Sequence, residues 1–418
     1  MKPLYYLLLA MLVFCVVPTD LEAAPKAKKY KKAGNKALSK GDFEEALTNF
    51  LEYAKMTKAE PEINYSIGLC YLSMERPAAA QKYFRTVRSQ GWKPYPVEFE
   101  FYQARVFHLM SEFDSAHHYY KRFLRRYNKD HVDDKNLQII SEEMVYPAIY
   151  GKGYLQNEKL ISVKQAMEKL IASTEEGHKQ QGHGRKVFVQ ELGSHINSPQ
   201  DEYAPCISSD GNLLLFASNR SKGEEGDKES KTEHLFFTQK DDEGGFMSSA
   251  RIKFEGEGKK NFAPIAYDYN MTGFLLYESI SETNGDIFFA SRSGDKWGLP
   301  EALPEPINSE YWEPSAAFSK DGSVIYFSSN RPGGKGGLDL YKSTKNEDGS
   351  WSAPQNLGPN VNTAFDEDAP YIDPENSVLY FSSRGHEGLG GYDIFRSKGN
   401  PAQPAKDATI ALRRSICG

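Results

Sequence analysis

Cysteine is scarce in this chain: four residues, at positions 15, 70, 206 and 417, with no CxxC pair. Thiols so widely spaced exclude a disulfide framework and a zinc knuckle, and leave buried apolar thiols as the expectation for Cys70 and Cys206. Apolar runs long enough to cross a bilayer are lacking as well; only Leu4–Val17 is continuous, and about fourteen residues fall short of the roughly 20 a spanning helix needs. No HExxH and no Gly-x-Ser-x-Gly is present, so neither a zincin nor a nucleophile elbow can be read. A basic stripe interleaved with stacking aromatics is missing, which argues against nucleic-acid binding. Aromatic residues, by contrast, are plentiful at 13%, with 25 Tyr and 24 Phe. Rings in that number suit cores assembled from short elements, where each inward position must cover much area.

Lys2, the apolar run and the small-residue stretch Leu21-Glu22-Ala23-Ala24 ahead of Pro25 have the three parts of an export signal. Residues 1–24 are therefore expected to be a leader, with the mature chain in the periplasm. Lipid attachment at Cys15 is disfavoured, because Phe14 stands where a small residue is needed. Charge divides the remainder: residues 25–190 hold 28 Lys+Arg against 20 Asp+Glu, a net of +8, and residues 191–400 hold 19 against 34, a net of −15. Opposite signs on the two halves place a domain boundary between them.

The first half repeats itself. YKKAGNKALSKGDFEEALTNF (30–50) aligns with NYSIGLCYLSMERPAAAQKYF (64–84), so that Gly34 falls on Gly68, Ala46 on Ala80 and Phe50 on Phe84, each 34 residues apart. EFYQARVFHLMSEFDSAHHYY (100–120) sets Ala104, Ala116 and Tyr120 in the same roles. Two helices approach closely only where Gly or Ala lies at the crossing, and the ring four residues after the second Ala closes the pair. Gly41-Asp42 reads as the turn, glycine ending one helix and aspartate capping the next. The period and these residues resemble tetratricopeptide repeats. Helices at 132–172 are expected to cap the stack, giving a helical domain over 25–172, and the polar stretch 173–186 reads as a linker. His178 and His183 within it lack a carboxylate or cysteine partner and read as solvent-exposed, so no metal is assigned. The resemblance implies a peptide-binding groove, with Lys31, Asn35, Leu38, Tyr65, Leu69 and Leu72 as lining residues. Lys31 and Asn35 match the start of the family's carboxylate clamp, but Ser66, Glu98 and Tyr102 replace the rest, and Glu98 would repel a carboxylate.

The second half repeats differently. YFSSNRPGGKGGLDLY (326–341) returns as YFSSRGHEGLGGYDIF (380–395), inside longer units marked by Pro205, Pro264, Pro314 and Pro370. Short alternating strands with Gly, Asp and Asn turns at this spacing indicate four blades of a β-propeller. Asp210-Gly211 and Asp321-Gly322 supply tight hairpins; Asp286, Asp339 and Asp393, each after glycine-containing loops, open third strands and can accept local backbone N–H groups. A phosphate loop is excluded, since Gly336 follows Lys335 and a strand follows both. KVFVQEL (186–192) is expected to supply the outer strand that the last blade lacks. The units resemble the TolB-like propeller repeat over residues 187–400.

Tetratricopeptide repeats ahead of such a propeller also resemble a family of Gram-negative envelope proteins, among them the PorE type of the type IX secretion apparatus. That likeness implies a helical solenoid followed by an all-β TolB-like propeller, with partners among envelope or secretion-machinery proteins and, indirectly, peptidoglycan. Residues 401–418 read as an irregular tail with no OmpA-like domain. The acidic run Asp366, Glu367 and Asp368 is read as solvated or turn-capping. The expected function is a non-enzymatic interaction scaffold without cofactor; the alternative is a glycan sensor using the propeller face.

Overall fold

The computed structural model describes residues 20–92, 96, 98–129, 163–181, 191–220, 233–254, 262–281, 284–294, 296–373, 378–398 and 408–410. The chain divides into two compact units, Met1–His131 and Val132–Gly418. Residues 1–19 of the expected leader, Cys15 included, lie outside the described residues, as do Cys417 and His183.

Among the described residues of the first unit six helices form three hairpins: α1 (Asp20–Leu38) with α2 (Phe43–Met56), α3 (Pro61–Ser73) with α4 (Pro77–Ser89), and α5 (Glu98–Leu109) with α6 (Phe113–Lys129). The crossings are as tight as small residues allow. A Cβ added at Gly34 would stand 2.7 Å from the Phe50 ring, and one at Gly68 would stand 2.3 Å from the Phe84 ring. Ala46, Ala80, Ala104 and Ala116 are fully buried together with Phe50, Phe84 and Tyr120. Each hairpin turns through one device. A left-handed residue, Gly41 (φ 75°), Glu75 (φ 56°) or Ser111 (φ 58°), lets the next N–H reach back to a carbonyl five residues earlier. Those bonds are Asp42 to Ala37 (3.1 Å), Arg76 to Tyr71 (2.8 Å) and Glu112 to Phe107 (2.8 Å). Only the first turn carries both favoured residues, and there Asp42 also caps α2 by accepting from the Glu45 N–H.

The second unit is a four-bladed β-propeller, so the architecture is a helical region followed by a propeller. Blade 1 comprises β1 (Glu202–Ile207), β2 (Leu213–Ser218), β3 (His234–Gln239) and β4 (Ala250–Arg251). Blade 2 comprises β5 (Phe262–Tyr267), β6 (Gly273–Ser281) and β7 (Asn284–Ser293), with β8 (Lys296–Trp297) and β9 (Glu301–Ala302) both pairing β7. Blade 3 follows with β10 (Ala316–Phe318), β11 (Val324–Ser329), β12 (Asp339–Thr344) and β13 (Gln355–Asn356). Blade 4 has β14 (Glu367–Asp373), β15 (Val378–Ser383), β16 (Asp393–Lys398) and β17 (Ala408–Ile410). Every pairing within a blade is antiparallel.

Apolar cores lie between consecutive blades. Leu215, Leu235, Phe262 and Phe274 join blades 1 and 2; Leu275, Ile287, Ile325 and Phe327 join blades 2 and 3; Tyr326, Leu340, Leu379 and Phe381 join blades 3 and 4. Cys206 is buried in the first of these cores and Cys70 in the helical core, which pushes each thiol up to about 12. Gly211 and Gly322 turn the hairpins at φ 73° and 70°. Asp210 accepts from the Ser208 hydroxyl and the Asn212 N–H, and Asp321 does the same with Ser319 and Ser323.

Two expectations are corrected. The tail contributes β17, whose Ala408 and Ile410 pair with Ser397 and Phe395, so the last blade takes its outer strand from residues after 400. Residues 186–190 of the segment expected there lie outside the described residues, and Glu191 and Leu192 are not strand. Residues 173–180 are also not linker: α7 runs Val163–Gln180 and belongs to the propeller unit, while residues 132–162 of the expected cap lie outside the described residues. Its buried side continues from Ala166, Met167 and Leu170 through Ser173, Thr174 and Gly177. Small residues extend the face where no apolar period is visible.

Candidate functional site

The six residues expected to line a helical groove fall into two separate packing groups. On α1, Leu38 is half-buried in the core of the first hairpin, Asn35 is exposed, and the Lys31 ammonium is held 3.3 Å from Glu60, which also accepts from the Tyr53 hydroxyl. On α3, Tyr65, Leu69 and Leu72 pack against the core that contains Phe84 and Phe99. The Tyr65 ring lies 5.6 Å from Trp92, 5.7 Å from Phe99 and 6.3 Å from Tyr102. Burial and the neighbouring tyrosine and glutamate hold that phenol well above its usual range. Helical spacing places these side chains on one face but does not reveal that the next hairpin already covers three of them.

Asp339 and Asp393 close their loops. Asp339 is fully buried and accepts from the Lys335 and Gly336 N–H groups (2.6 and 2.9 Å) and from the Asn356 amide (2.7 Å). Asp393 accepts from the Leu389 N–H (2.7 Å) and the Gly390 N–H (3.3 Å). Asp286 is half-buried at the start of β7, paired with Glu278.

A second repeated constellation escaped the sequence reading. In blade 3 the Ser309 N–H and hydroxyl both donate to the carboxylate of Glu313, four residues on, and the Ser329 hydroxyl donates at 2.6 Å. Arg331 completes the group: Nη2 reaches Glu313 at 3.1 Å and the Ile307 carbonyl at 2.7 Å, and Nη1 reaches the Pro306 carbonyl at 3.0 Å. Blade 1 repeats the serine–glutamate contacts with Ser198, Glu202 and Ser218, and its Arg220 reaches the lead-in carbonyl of Ile196 at 3.1 Å. Blade 4 repeats it with Thr363, Glu367 and Ser383, but its arginine position is Gly385. The available signal was the recurrence of Ser/Thr-x-x-x-Glu at the first strands of blades 1, 3 and 4 and of Ser-Asn-Arg at the ends of the second strands of blades 1 and 3.

Burial pushes Glu367 up to about 8. Its neighbours in the acidic run have other partners. Asp366 accepts from the Leu338 N–H at 3.0 Å, and Asp368 accepts from the hydroxyls of Ser315 and Ser328. The three carboxylates thus hold three different pieces of blade.

The propeller presents a recess on the face where its first hairpins turn. One part, about 590 Å³, is lined from the inner strands of all four blades, including Ile207, Tyr267, Phe318 and Tyr371. An adjoining part of about 680 Å³ lies against blades 2 and 3, with Phe289, Leu303 and Trp351 in its wall; Asp268, Tyr269, Phe318 and Lys320 border both. Ile207 and Tyr371 are each 56% exposed, an uncommon setting for two large apolar side chains at one opening. Phe318 stacks on Trp351 with centroids 6.1 Å apart, and the Lys320 ammonium lies 4.8 Å from the Tyr269 ring. Asp321 at the rim is held down to about 2 by the Ser319 and Ser323 hydroxyls and the Ser323 N–H, so it stays ionised and committed to its turn. Ring faces beside fixed charges suit recognition of a partner's side chains or a sugar ring.

No protein-family model and no curated protein sequence matches the chain. Solved structures with similarity include TolB from Acinetobacter baumannii, at 15% identity and a TM-score of 0.33, covering 49% of this chain and 42% of that one. A TolB-type protein from Agrobacterium tumefaciens matches at 12% identity and a TM-score of 0.31, covering 51% of this chain and 82% of that one. A puromycin-hydrolyzing peptidase from Mycobacterium tuberculosis matches at 14% identity and a TM-score of 0.30, covering 52% and 30%. The match therefore spans less than half the length of the Acinetobacter TolB chain.

Proposed function

We propose that the protein is a periplasmic interaction scaffold that contributes to an outer-membrane or type IX secretion assembly, with the propeller recess as a partner-binding surface. In this reading the helical hairpins are tetratricopeptide repeats, the propeller is of the envelope TolB-like kind in a PorE-type arrangement, and residues 1–24 direct export. The observation that carries the proposal is the recess itself, where Ile207 and Tyr371 stand exposed beside Tyr269, Phe318 and Trp351. Apolar and aromatic anchors of this kind, covered when a partner docks, supply binding energy without a reactive centre. The scaffold is proposed to be non-enzymatic; the carboxylates of Asp210, Asp321, Asp366 and Asp368 are each engaged in a turn or a blade contact. Among the described residues no helix is long and apolar enough to cross a membrane.

Purification of tagged protein from gently crosslinked envelopes tests the proposal, comparing the full chain with the first unit, residues 1–131. Outer-membrane or secretion proteins should be recovered with the full chain and some of them lost without the propeller. Recovery of the same set with both would contradict it. The aromatic faces at Tyr269 and Trp351 also favour a second reading, a glycan sensor, which predicts saturable binding of muropeptides to the full chain.

A further inference from the structure

Blades 1 and 3 place an arginine two residues beyond the last serine of their second strands, and in blade 3 it does three things. Arg331 binds lead-in carbonyls, lies over aromatic rings (4.9 Å from Phe327 and 5.4 Å from Tyr341) and sets a cation against Glu313. Arg220 likewise binds the Ile196 carbonyl and lies 4.0 Å from the Phe236 ring. In blade 4 the same position is Gly385, and no side chain fits there: a Cβ would stand 1.7 Å from Thr363 Oγ1. His386 takes over the first two tasks. Its Nε2 donates to the Val361 carbonyl at 2.9 Å, and its ring lies 5.0 Å from Phe395 and 5.8 Å from Phe381. Burial disfavours the charged imidazole, so the third task is left open. Arg384 does not fill it, since its guanidinium lies over Tyr392 at 4.3 Å and beside Asp366 at 3.9 Å.

We infer that α7 is a strap for the last blade, and that Lys169 delivers from it the cation that Arg220 and Arg331 provide within their own blades. The Lys169 ammonium donates to the Gly385 carbonyl at 2.9 Å, with the His386 carbonyl 3.5 Å away, across more than two hundred residues of sequence. It also lies 4.8 Å from the ring of Phe365, two residues before Glu367. The acidic groups that face it are Glu367, Asp393 and Glu387, all from blade 4. Glu175, Glu176, Lys179 and Arg384 border the same cleft of about 160 Å³, which α7 forms with the loop Gly388–Gly391. An ammonium that is seated on the Gly385 carbonyl from a separate element holds the end of the blade only while that element is docked. With α7 docked, the last glycine loop is covered and the Gly385 carbonyl has its charged donor. With α7 released, both are lost together.

Hydrogen exchange of the full chain tests this. Lys169→Met should raise exchange in 163–180 and 385–393 about tenfold, the size of one unmade charge-assisted bond, while blades 2 and 3 hold their rates. Lys169→Arg should keep both segments protected. No rise in either segment, or an equal rise in blades 2 and 3, would overturn the strap. Should Lys169→Met not fold, acylation of the wild-type chain decides: Lys169 should react about tenfold slower than exposed Lys164 if docked, and equal rates would refute docking.

Discussion

Gly336 lies against the backbone of Phe365 so closely that a Cβ on it would stand 1.8 Å from the Phe365 carbonyl oxygen. The glycine-rich loop of blade 3 is therefore a seat for the segment that leads into blade 4. Leu338 fixes that seat from both sides: its N–H donates to Asp366 at 3.0 Å, and its carbonyl accepts from the Glu367 N–H at 2.8 Å. Gly336→Ala must push two backbones apart and should lower propeller stability by about 3 kcal/mol, the upper end for overpacking. Thermal unfolding followed by tryptophan emission reads this, and a change below about 0.5 kcal/mol would show that the seam yields freely.

The helical turns make an opposite prediction. Glu75 occupies the left-handed position that Gly41 occupies one repeat earlier, at a cost of about 1 kcal/mol for a residue with a Cβ. Glu75→Gly should stabilise the helical unit by about that amount. Arg76→Asp should add about 1 kcal/mol, because the cap of α4 now makes no side-chain bond whereas Asp42 does. Urea titrations of the two variants check both signs.

Glu367 gives the propeller a pH signature. Its folded value of about 8 lies above the ordinary 4.5, so the folded chain holds the proton more tightly than the unfolded one. Its contribution is complete below the unfolded value and is lost as pH rises through about 8. Lys169, held below its ordinary value by burial, acts in the other direction at higher pH, where the unfolded chain binds the extra proton. Glu367→Gln should flatten the decline in melting temperature between pH 5 and pH 8, a window set by those two values. An unchanged decline would show that another group governs it.

Much of this architecture was legible. Gly34 and Gly68 with their rings at fixed offsets announce helix crossings, and Asp-Gly turns followed by glycine loops and aspartates announce blades. Local chemistry makes those signals, so one sequence suffices. What stayed hidden depends on distant neighbours. Nothing near Lys169 indicates that its partner is the backbone of Gly385, and nothing near Tyr65 indicates that Trp92 and Phe99 cover it. β17 was missed because Ala408–Ile410 is three residues without alternation, recruited by the open edge of β16. The recess was invisible for the same reason, as Ile207 and Tyr371 lie in different blades and meet only once the sheets are arranged.

The recess can be separated from stability. Ile207 and Tyr371 are mostly exposed, so Ile207→Glu and Tyr371→Ala should each change stability by no more than about 0.5 kcal/mol. Circular dichroism melts of the single and double variants test that independence before any binding is compared.

The scaffold reading is tested most directly by capture of envelope partners with the Ile207→Glu/Tyr371→Ala chain beside the wild type, after gentle crosslinking in cells. The wild type should recover a defined set of outer-membrane or secretion proteins, and the folded double variant should lose part of that set. Identical recovery by both chains, or recovery of glycan fragments alone, would contradict a protein-binding recess.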